Sequence, residues 1–316
     1  MNNRKSPVPV KARRKQPKIR FFDRNINNLK RLKRYFFTEN VKKLERLKKI
    51  IQNYPEFHFR RRQIANYETE EFRNEISSLK TNGYAYFVPS DKLTKELIER
   101  CLKRFREIKE SDMVPQEGKK FYKDSIRPED YEPSTSFMRY ALDEETLKTV
   151  GGYLGCLPFL QSIELIYSTP IEAGEFLRQT HLYHKDKIDK KIVKLFTYIT
   201  NVDENCGPFT VLPLSTTKKA PWYIEIPGFV TDEILSKHVD LSEAVNFMGP
   251  AGSAMMADTQ ILFHCGSRCQ EPRLTFVVHY NSGFSFFPRN PYHERWKDNG
   301  IDYGLSKLQE VALGTY

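Results

Sequence analysis

The stretch QTHLYHKDKIDKKIVKLFTYITNVDENCGPFTVLPLS, residues 179–215, decides the fold class. Short apolar runs rich in β-branched and aromatic residues alternate in it with turn clusters such as Asn205-Cys206-Gly207-Pro208. The same alternation continues to about residue 280. Many short strands with few helices between them are typical of an antiparallel barrel or jelly roll. We predict strands over residues 160–168, 175–182, 192–200, 208–212, 253–257, 260–264 and 273–280.

The chain before this region is mainly helical in pattern. Apolar residues at spacings of three and four predict helices over residues 25–53, ending before Pro55, over about 69–80 and over about 91–108. A strand is predicted at residues 84–88, and a short helix near 143–150 that ends at Gly151-Gly152. The polar, turn-rich residues 109–135 are predicted to form a loop. The fold class is therefore mainly β with flanking helices.

Composition excludes several classes of protein. Of the 316 residues, 39% are hydrophobic and 13% aromatic, as in globular proteins, and no apolar run is long enough to span a membrane. The basic N-terminal region lacks the apolar segment of a secretory signal. Five scattered cysteines indicate a reducing compartment rather than a disulfide framework. We expect a cytoplasmic protein, with peripheral attachment to a membrane as an open alternative.

The net charge of +11 is unevenly distributed. Residues 1–62 hold 21 lysines and arginines against four acidic residues, whereas the remainder holds 30 against 36. We predict a basic, partly disordered arm with an amphipathic helix over residues 1–62, and a single domain over 63–316. The arm could pack on the barrel or bind an anionic membrane surface. Nucleic acid is the least favoured partner, because no recognised nucleic-acid motif is present.

The triplet His184-Lys185-Asp186 and the distant His264 offer the ligands of a metal site. Two imidazoles and one carboxylate on one face of iron(II) leave positions open for a co-substrate and dioxygen. His184 and Asp186 would share one face of a strand, and His264 would end the apolar strand before it. The triplet is short enough to arise by chance, so a surface histidine in a lysine-rich turn is the alternative.

The surroundings of the triplet resemble the phytanoyl-CoA dioxygenase-like family of iron(II)/2-oxoglutarate oxygenases. The resemblance extends over about residues 80–285. Leu214 and Thr216 depart from it, since they replace a glycine and a histidine of the usual loop. The blocks that carry it, in order, are Gln179, His184-Lys185-Asp186, the strand Val193–Thr200, Asp203–Pro208, Pro213–Thr216, Gly249 and Gly252, Asp258-Thr259, His264, Gly266 and Arg273.

This resemblance implies a double-stranded β-helix, the jelly roll of cupins. It also implies that His184, Asp186 and His264 bind iron and that Arg273 binds the distal carboxylate of 2-oxoglutarate. A planar guanidinium suits that task because it donates two parallel, charge-assisted hydrogen bonds. The alternative for Arg273 is pairing with Glu271 at a strand edge. The remaining candidates for co-substrate binding are Ser267 and Thr275, through their hydroxyl groups, and Gln179.

The predicted function is that of an Fe(II)/2-oxoglutarate-dependent dioxygenase that uses dioxygen to hydroxylate a small or carrier-linked metabolite and releases succinate and CO2. The alternative is a catalytically inactive barrel that serves as a membrane- or nucleic-acid-binding module through its basic arm. Residues 217–247 could lie over the substrate, since loops on a rigid barrel often determine specificity. The sequence does not identify the primary substrate, because one fold hosts many substrates.

Overall fold

Two antiparallel sheets form the centre of the protein in a computed structural model. The structure describes residues 47–48, 51–67, 69, 73–108, 114–116, 119–172, 175–186, 189–283 and 301–314. The strands in chain order are β1 (Tyr84–Phe87), β2 (Val114–Gln116), β3 (Lys119–Asp124), β4 (Phe159–Ser168), β5 (Tyr183–His184), β6 (Ile192–Tyr198), β7 (Phe209–Val211), β8 (Phe229–Val230), β9 (Val245–Phe247), β10 (Ala254–Ala257), β11 (His264–Cys265) and β12 (Arg273–Asn281).

The strand order identifies the topology. Within the described ranges, the larger sheet has the order β1-β10-β6-β12-β4-β3-β2, and the smaller sheet has the order β8-β5-β11-β7-β9. From β4 to β12 the chain crosses between the sheets at almost every step, so that β4-β12-β6-β10 faces β5-β11-β7-β9. This alternation is the double-stranded β-helix of a jelly roll. The predicted fold class is confirmed.

Aromatic side chains fill the space between the two sheets. The rings of Phe196 on β6 and Phe209 on β7 stack with centroids 3.8 Å apart. Those of Tyr198 and Phe247 stack at 4.5 Å, and the Tyr198 hydroxyl donates to the Phe247 carbonyl at 2.6 Å. The sheets therefore pack face to face at this end.

Helices cover the outer face of the larger sheet. Phe137 and Tyr140 pack on Phe276 of β12, with ring centroids 5.7 and 6.0 Å away. Because side chains alternate along a strand, Phe276 faces the helices while its neighbours Thr275 and Val277 face the smaller sheet. The helices are α1 (described over residues 51–63), α2 (Arg73–Asn82), α3 (Asp91–Glu107), α4 (Ser136–Ala141), α5 (Glu144–Leu154), α6 (Leu214–Thr217), α7 (Asp232–Leu235) and α8 (Lys307–Leu313).

The C-terminal part of α1 is anchored to the barrel by Arg60, whose side chain is fully buried. Its Nη1 donates to the Pro158 carbonyl at 2.9 Å, and its own carbonyl accepts from the Leu157 amide at 3.1 Å. Helix α1 also runs through Pro55, so the predicted helix end before Pro55 is wrong. The division into an arm and a domain at residue 62 stays a prediction, as does the structure of residues 1–46, which lie outside the described residues.

Two predicted strands are wrong, and turns explain both. Residues 175–182 do not form a strand, because Gln179 adopts a left-handed backbone with φ 48° and begins a single 3-10 turn. Residues 260–262 also form a turn, since the Asp258 carboxylate accepts from the Gln260 amide at 3.0 Å and its carbonyl accepts from the next two amides. His264 therefore begins a strand rather than ending one.

Two further boundaries differ from expectation. The supposed loop at 109–135 contains β2 and β3, which extend the larger sheet at its edge. Helix α5 continues through Gly151-Gly152 to Leu154 and ends at the left-handed Gly155. A side chain at Gly151 would come within 2.7 Å of Ile64, so this glycine allows close packing against the preceding segment instead of ending the helix.

All five cysteines are free and buried. Within the described ranges, no helix is both long and apolar enough to cross a bilayer. The predicted cytoplasmic location stays a prediction.

Candidate metal centre

A cavity of about 560 Å³ lies between the two sheets. Both sheets contribute to its walls. Its apolar lining includes the rings of Phe196, Phe209 and Phe229. The polar lining residues are Glu164, Ser168, Thr180, His184, Lys185, Asp186, Lys194, His264, Ser267, Arg273, Thr275 and His279.

The three predicted metal ligands meet in this cavity. His184 and His264 are paired across β5 and β11, and their ring centroids lie 4.2 Å apart. The Asp186 Oδ2 atom lies 3.9 Å from His264 Nε2. One ligand atom from each residue falls within 4.8 Å of the others, a spacing at which one ion can touch all three. Since His184 and His264 are 8% and 4% exposed, the surface-histidine alternative is wrong.

Each histidine is oriented by a backbone carbonyl two residues before it. His184 Nδ1 lies 3.0 Å from the Leu182 carbonyl, and His264 Nδ1 lies 3.1 Å from the Leu262 carbonyl. A carbonyl only accepts, so Nδ1 carries the proton and Nε2 keeps its lone pair for a metal. Burial and the neighbouring His184 lower the pKa of His264 to about 3, which keeps this imidazole neutral at pH 7.

Asp186 lies beyond the end of β5, so strand alternation does not position it. Two hydrogen bonds with Thr259 position it instead. The Thr259 hydroxyl donates to Asp186 Oδ2 at 2.6 Å, and the Asp186 amide donates to the Thr259 carbonyl at 2.9 Å. Lys194 Nζ lies 2.7 Å from the same Oδ2. Burial alone would raise the pKa of Asp186, but Lys194 and the two imidazoles hold it well below its usual range. The carboxylate is therefore ionised and able to bind a cation.

The cavity also holds a buried guanidinium that has no acidic partner among the described residues. Arg273 is 6% exposed, and its Nη2 lies 3.4 Å from the Ser267 hydroxyl. Among the described residues, Arg273 Nε, Arg273 Nη1 and the Thr275 hydroxyl have no hydrogen-bond partner. The pairing of Arg273 with Glu271 is therefore wrong. Buried polar groups are normally paired, so this cluster fits a carboxylate ligand.

Gly266 leaves the space that such a ligand needs. A Cβ atom at this position would lie 3.3 Å from Arg273 Nη2. The next residue, Ser267, has a left-handed backbone with φ 57°, and its hydroxyl lies 3.0 Å from that of Ser168. The structure thus brings Arg273, Ser267 and Thr275 to one wall of the cavity. Gln179 is not among the lining residues, and its role toward a co-substrate stays a prediction.

Sequence reasoning missed three residues of the site: Lys194, Thr259 and Phe229. Phe229 comes from the segment predicted to lie over the substrate, and its ring centroid lies 5.2 Å from that of His184. Lys194 left a visible signal, since it interrupts the apolar strand Ile192–Tyr198 at a position that faces inward. Thr259 was named only as part of the block Asp258-Thr259, and its role was not predictable because it depends on a turn that brings it to a residue 73 positions away.

A donor set of two imidazoles and one carboxylate is typical of non-haem iron oxygenases. The two predicted cofactors fit this cavity. Fe(II) fits the His-Asp-His cluster, and 2-oxoglutarate fits the wall formed by Arg273, Ser267 and Thr275.

Comparison with known proteins adds structural likenesses only. No family model matches the chain, and no curated protein matches it significantly. Among similar solved structures are the epimerase SnoN in complex with Fe3+, alpha ketoglutarate and nogalamycin RO, with 10% identity, a TM-score of 0.47 and coverage of 67% of this chain and 84% of that one. Another is EctD from S. alaskensis in its apoform, with 15% identity, a TM-score of 0.46 and coverage of 66% of this chain and 76% of that one.

A third is HygX from Streptomyces hygroscopicus with nickel, 2-oxoglutarate and hygromycin B bound, with 14% identity, a TM-score of 0.47 and coverage of 66% of this chain and 86% of that one. Identities and TM-scores this low assign neither a family nor a substrate. Membership of the phytanoyl-CoA dioxygenase-like family stays a prediction. The fold rests on the strand order of this chain, and the candidate site rests on its own side-chain geometry.

Proposed function

We propose that this protein is an Fe(II)/2-oxoglutarate-dependent dioxygenase that hydroxylates a small molecule and releases succinate and CO2. One observation carries the proposal: a buried His-Asp-His cluster and a buried guanidinium, for which the described part of the chain offers no acidic partner, line the same cavity. Either feature alone has an ordinary structural explanation. Together they match the two needs of this reaction class, a metal with open positions and a recognised keto acid.

His184, Asp186 and His264 would hold the iron, and Arg273 would bind the distal carboxylate of 2-oxoglutarate, assisted by the Ser267 and Thr275 hydroxyls. Bound iron and 2-oxoglutarate together supply the oxidising chemistry. The chain supplies orientation and part of an apolar wall. Phe196 and Phe209 contribute to that wall, and the carbonyl-bound Nδ1 atoms keep both imidazoles in the ligating tautomer.

The size of the cavity supports a small substrate, or the small reactive end of a carrier-linked one. About 560 Å³ must hold both the co-substrate and the group to be oxidised. Small-molecule sites occupy about 300–1,000 Å³ in general, so the remaining room is limited. Phe229 and the glycine before it form the wall nearest His184 and would contact the substrate.

The proposal is tested by mixing the purified protein with iron(II) and 2-oxoglutarate without oxygen. We expect a visible metal-to-ligand charge-transfer band and, after oxygen is admitted, slow formation of succinate. His264→Ala should lose the band, whereas His279→Ala, which changes another histidine that lines the cavity, should keep it. Absence of the band from folded wild-type protein at saturating iron would refute the proposal.

The alternative function, an inactive barrel that binds a membrane or nucleic acid through its basic arm, depends on residues 1–46, which lie outside the described residues. It stays a prediction. The complete ligand set and the ionised state of Asp186 favour the enzyme.

A further inference from the structure

A lysine forms a salt bridge with the carboxylate that the proposed function assigns to the metal. Lys194 extends from β6 into the cavity, and its Nζ lies 2.7 Å from Asp186 Oδ2. The Thr259 hydroxyl donates to the same oxygen at 2.6 Å. This Oδ2 is also the carboxylate oxygen that lies 3.9 Å from His264 Nε2. The oxygen on the metal side of Asp186 is therefore already bound by two donors.

A carboxylate oxygen has two lone-pair positions, so a metal at Oδ2 competes with these two donors. The two donors differ in charge. The Thr259 hydroxyl is neutral and can stay beside a cation, whereas the Lys194 ammonium and a divalent ion repel each other strongly at such short range. Metal binding would therefore displace the ammonium rather than the hydroxyl.

The displaced ammonium would still lie in a largely buried place. The Lys194 side chain is 15% exposed, and a buried cation needs a new anionic partner. Glu164 is the other carboxylate among the described residues that line the cavity, and its Oε1 lies 3.7 Å from His279 Nε2. His279 is also the strand partner of Lys194 on β12. An anionic group on the substrate would meet the ammonium in this part of the cavity.

Lys185, the second lysine that lines the cavity, is paired with a different acidic residue. Lys185 Nζ lies 2.6 Å from Glu225 Oε1 and 4.8 Å from the centroid of the Phe263 ring. Its charge is thus balanced by an acidic residue that is not part of the candidate metal site. Lys185 and Lys194 have similar side-chain exposure, 17% and 15%, and form a matched pair for comparison.

We propose that Lys194 is an internal cation that competes with the metal for Asp186 Oδ2, and that metal binding transfers its ammonium to a carboxylate of the substrate. The inference rests on the proposed function and narrows it: the primary substrate is a small acid, held by Lys194 beside the metal. The residue acts twice, as a competitor of the metal and then as the anchor of the substrate.

The first step is tested by titrating metal-free protein with Ni(II) in a calorimeter. Lys194→Met and Lys194→Gln should each bind Ni(II) on the order of tenfold more tightly than wild type, because the competing charge is gone. Lys185→Met should change the affinity little. Two substitutions at position 194 guard against a folding defect in one of them. Equal or weaker binding by both variants would overturn the inference.

The second step is tested on protein loaded with Ni(II) and 2-oxoglutarate, using three probes with a common phenyl group: phenylacetate, 2-phenylethylamine and 2-phenylethanol. Saturation-transfer NMR should detect phenylacetate on wild type and on Lys185→Met but not on Lys194→Met. The amine and the alcohol should give no comparable signal. Binding of phenylacetate that does not depend on Lys194, or no binding of it, would overturn the assignment of an acidic substrate.

The two proposals fail differently. If wild type binds Ni(II) and 2-oxoglutarate but Lys194→Met gains no affinity, the proposed function stands and the role of Lys194 falls. If neither wild type nor the position-194 variants bind the metal, the proposed function itself falls.

Discussion

Arg273→Met should change the stability of the cofactor-free protein and the affinity for 2-oxoglutarate in opposite directions. In the cofactor-free protein, Arg273 Nε and Nη1 are buried and have no hydrogen-bond partner within the described ranges. An unsatisfied buried polar group costs about 1–3 kcal/mol, more when charged. Methionine has a flexible apolar side chain that can fill the same channel beside Tyr198. We therefore expect the variant without ligand to be more stable than wild type by about 1 kcal/mol.

The affinity for 2-oxoglutarate should fall. Two charge-assisted hydrogen bonds contribute about 1.5–3 kcal/mol each, so losing both costs about 4 kcal/mol, or about a thousandfold in Kd. Lysine at this position restores the charge but not the two parallel N–H groups, so Arg273→Lys should lie between wild type and Arg273→Met.

Two assays measure the two effects. Urea unfolding of metal-free protein gives the free energy of unfolding, and calorimetry with Ni(II)-loaded protein gives the Kd of 2-oxoglutarate. Arg268→Met is the control, because Arg268 binds both Asp232 oxygens at 2.7 Å and does not line the cavity. Arg268→Met should destabilise the protein without weakening the binding of 2-oxoglutarate. If Arg273→Met instead destabilises the empty protein and binds 2-oxoglutarate normally, Arg273 is a structural residue.

Three further outcomes are expected. Thr259→Val should weaken Ni(II) binding about tenfold while Thr259→Ser restores it, because valine lacks the hydroxyl that donates to Asp186 Oδ2 and serine keeps it; calorimetry with equal loss in both variants would contradict this. Burial and the nearby Glu164 raise the pKa of Asp124 to about 7, so the folded protein keeps a proton that the unfolded chain releases near its ordinary pKa. The contribution of Asp124 to stability should therefore fall as pH rises from about 4 to 7, by up to about 1.4 kcal/mol per pH unit, and Asp124→Asn should remove this contribution from the pH dependence measured by urea unfolding; the same pH dependence in variant and wild type would refute it. Gly83→Ala should cost about 2 kcal/mol or more of unfolding free energy, since Gly83 has φ 83° and a Cβ would come within 2.5 Å of Leu262, whereas Gly228→Ala, also at positive φ but with open space, should cost less.

The ligand residues were predictable because their chemistry is local in sequence or marked by neighbouring blocks. His184 and Asp186 are two residues apart, and closure of a jelly roll brings His264 beside them. The reason for their arrangement was only partly predictable. Strand alternation was expected to orient Asp186, but β5 ends at His184, and the bonds with Thr259 orient the carboxylate instead.

The errors in the secondary structure have a common origin. Apolar alternation over residues 175–182 and 260–264 fits a strand, yet it cannot report a left-handed backbone at Gln179 or a turn closed by the Asp258 carboxylate. The prediction of a loop at residues 109–135 was wrong for the opposite reason. Its β2 and β3 are at the edge of the sheet, where polar and charged residues are favoured and the apolar signal is weak.

The buried Arg60 has a practical consequence for any attempt to detach the basic arm. Its side chain fits against the positions of Gly283 and Gly314, where an added Cβ would lie 3.3 Å and 3.9 Å from Arg60 atoms. One guanidinium thus joins the N-terminal helix, the start of β4 and two later segments of the chain. Cutting the chain at residue 62 would remove Arg60 and leave a cavity where its side chain packs against the barrel. A shortened protein made to test what the arm binds should begin before residue 51; otherwise lost binding and lost folding would look alike.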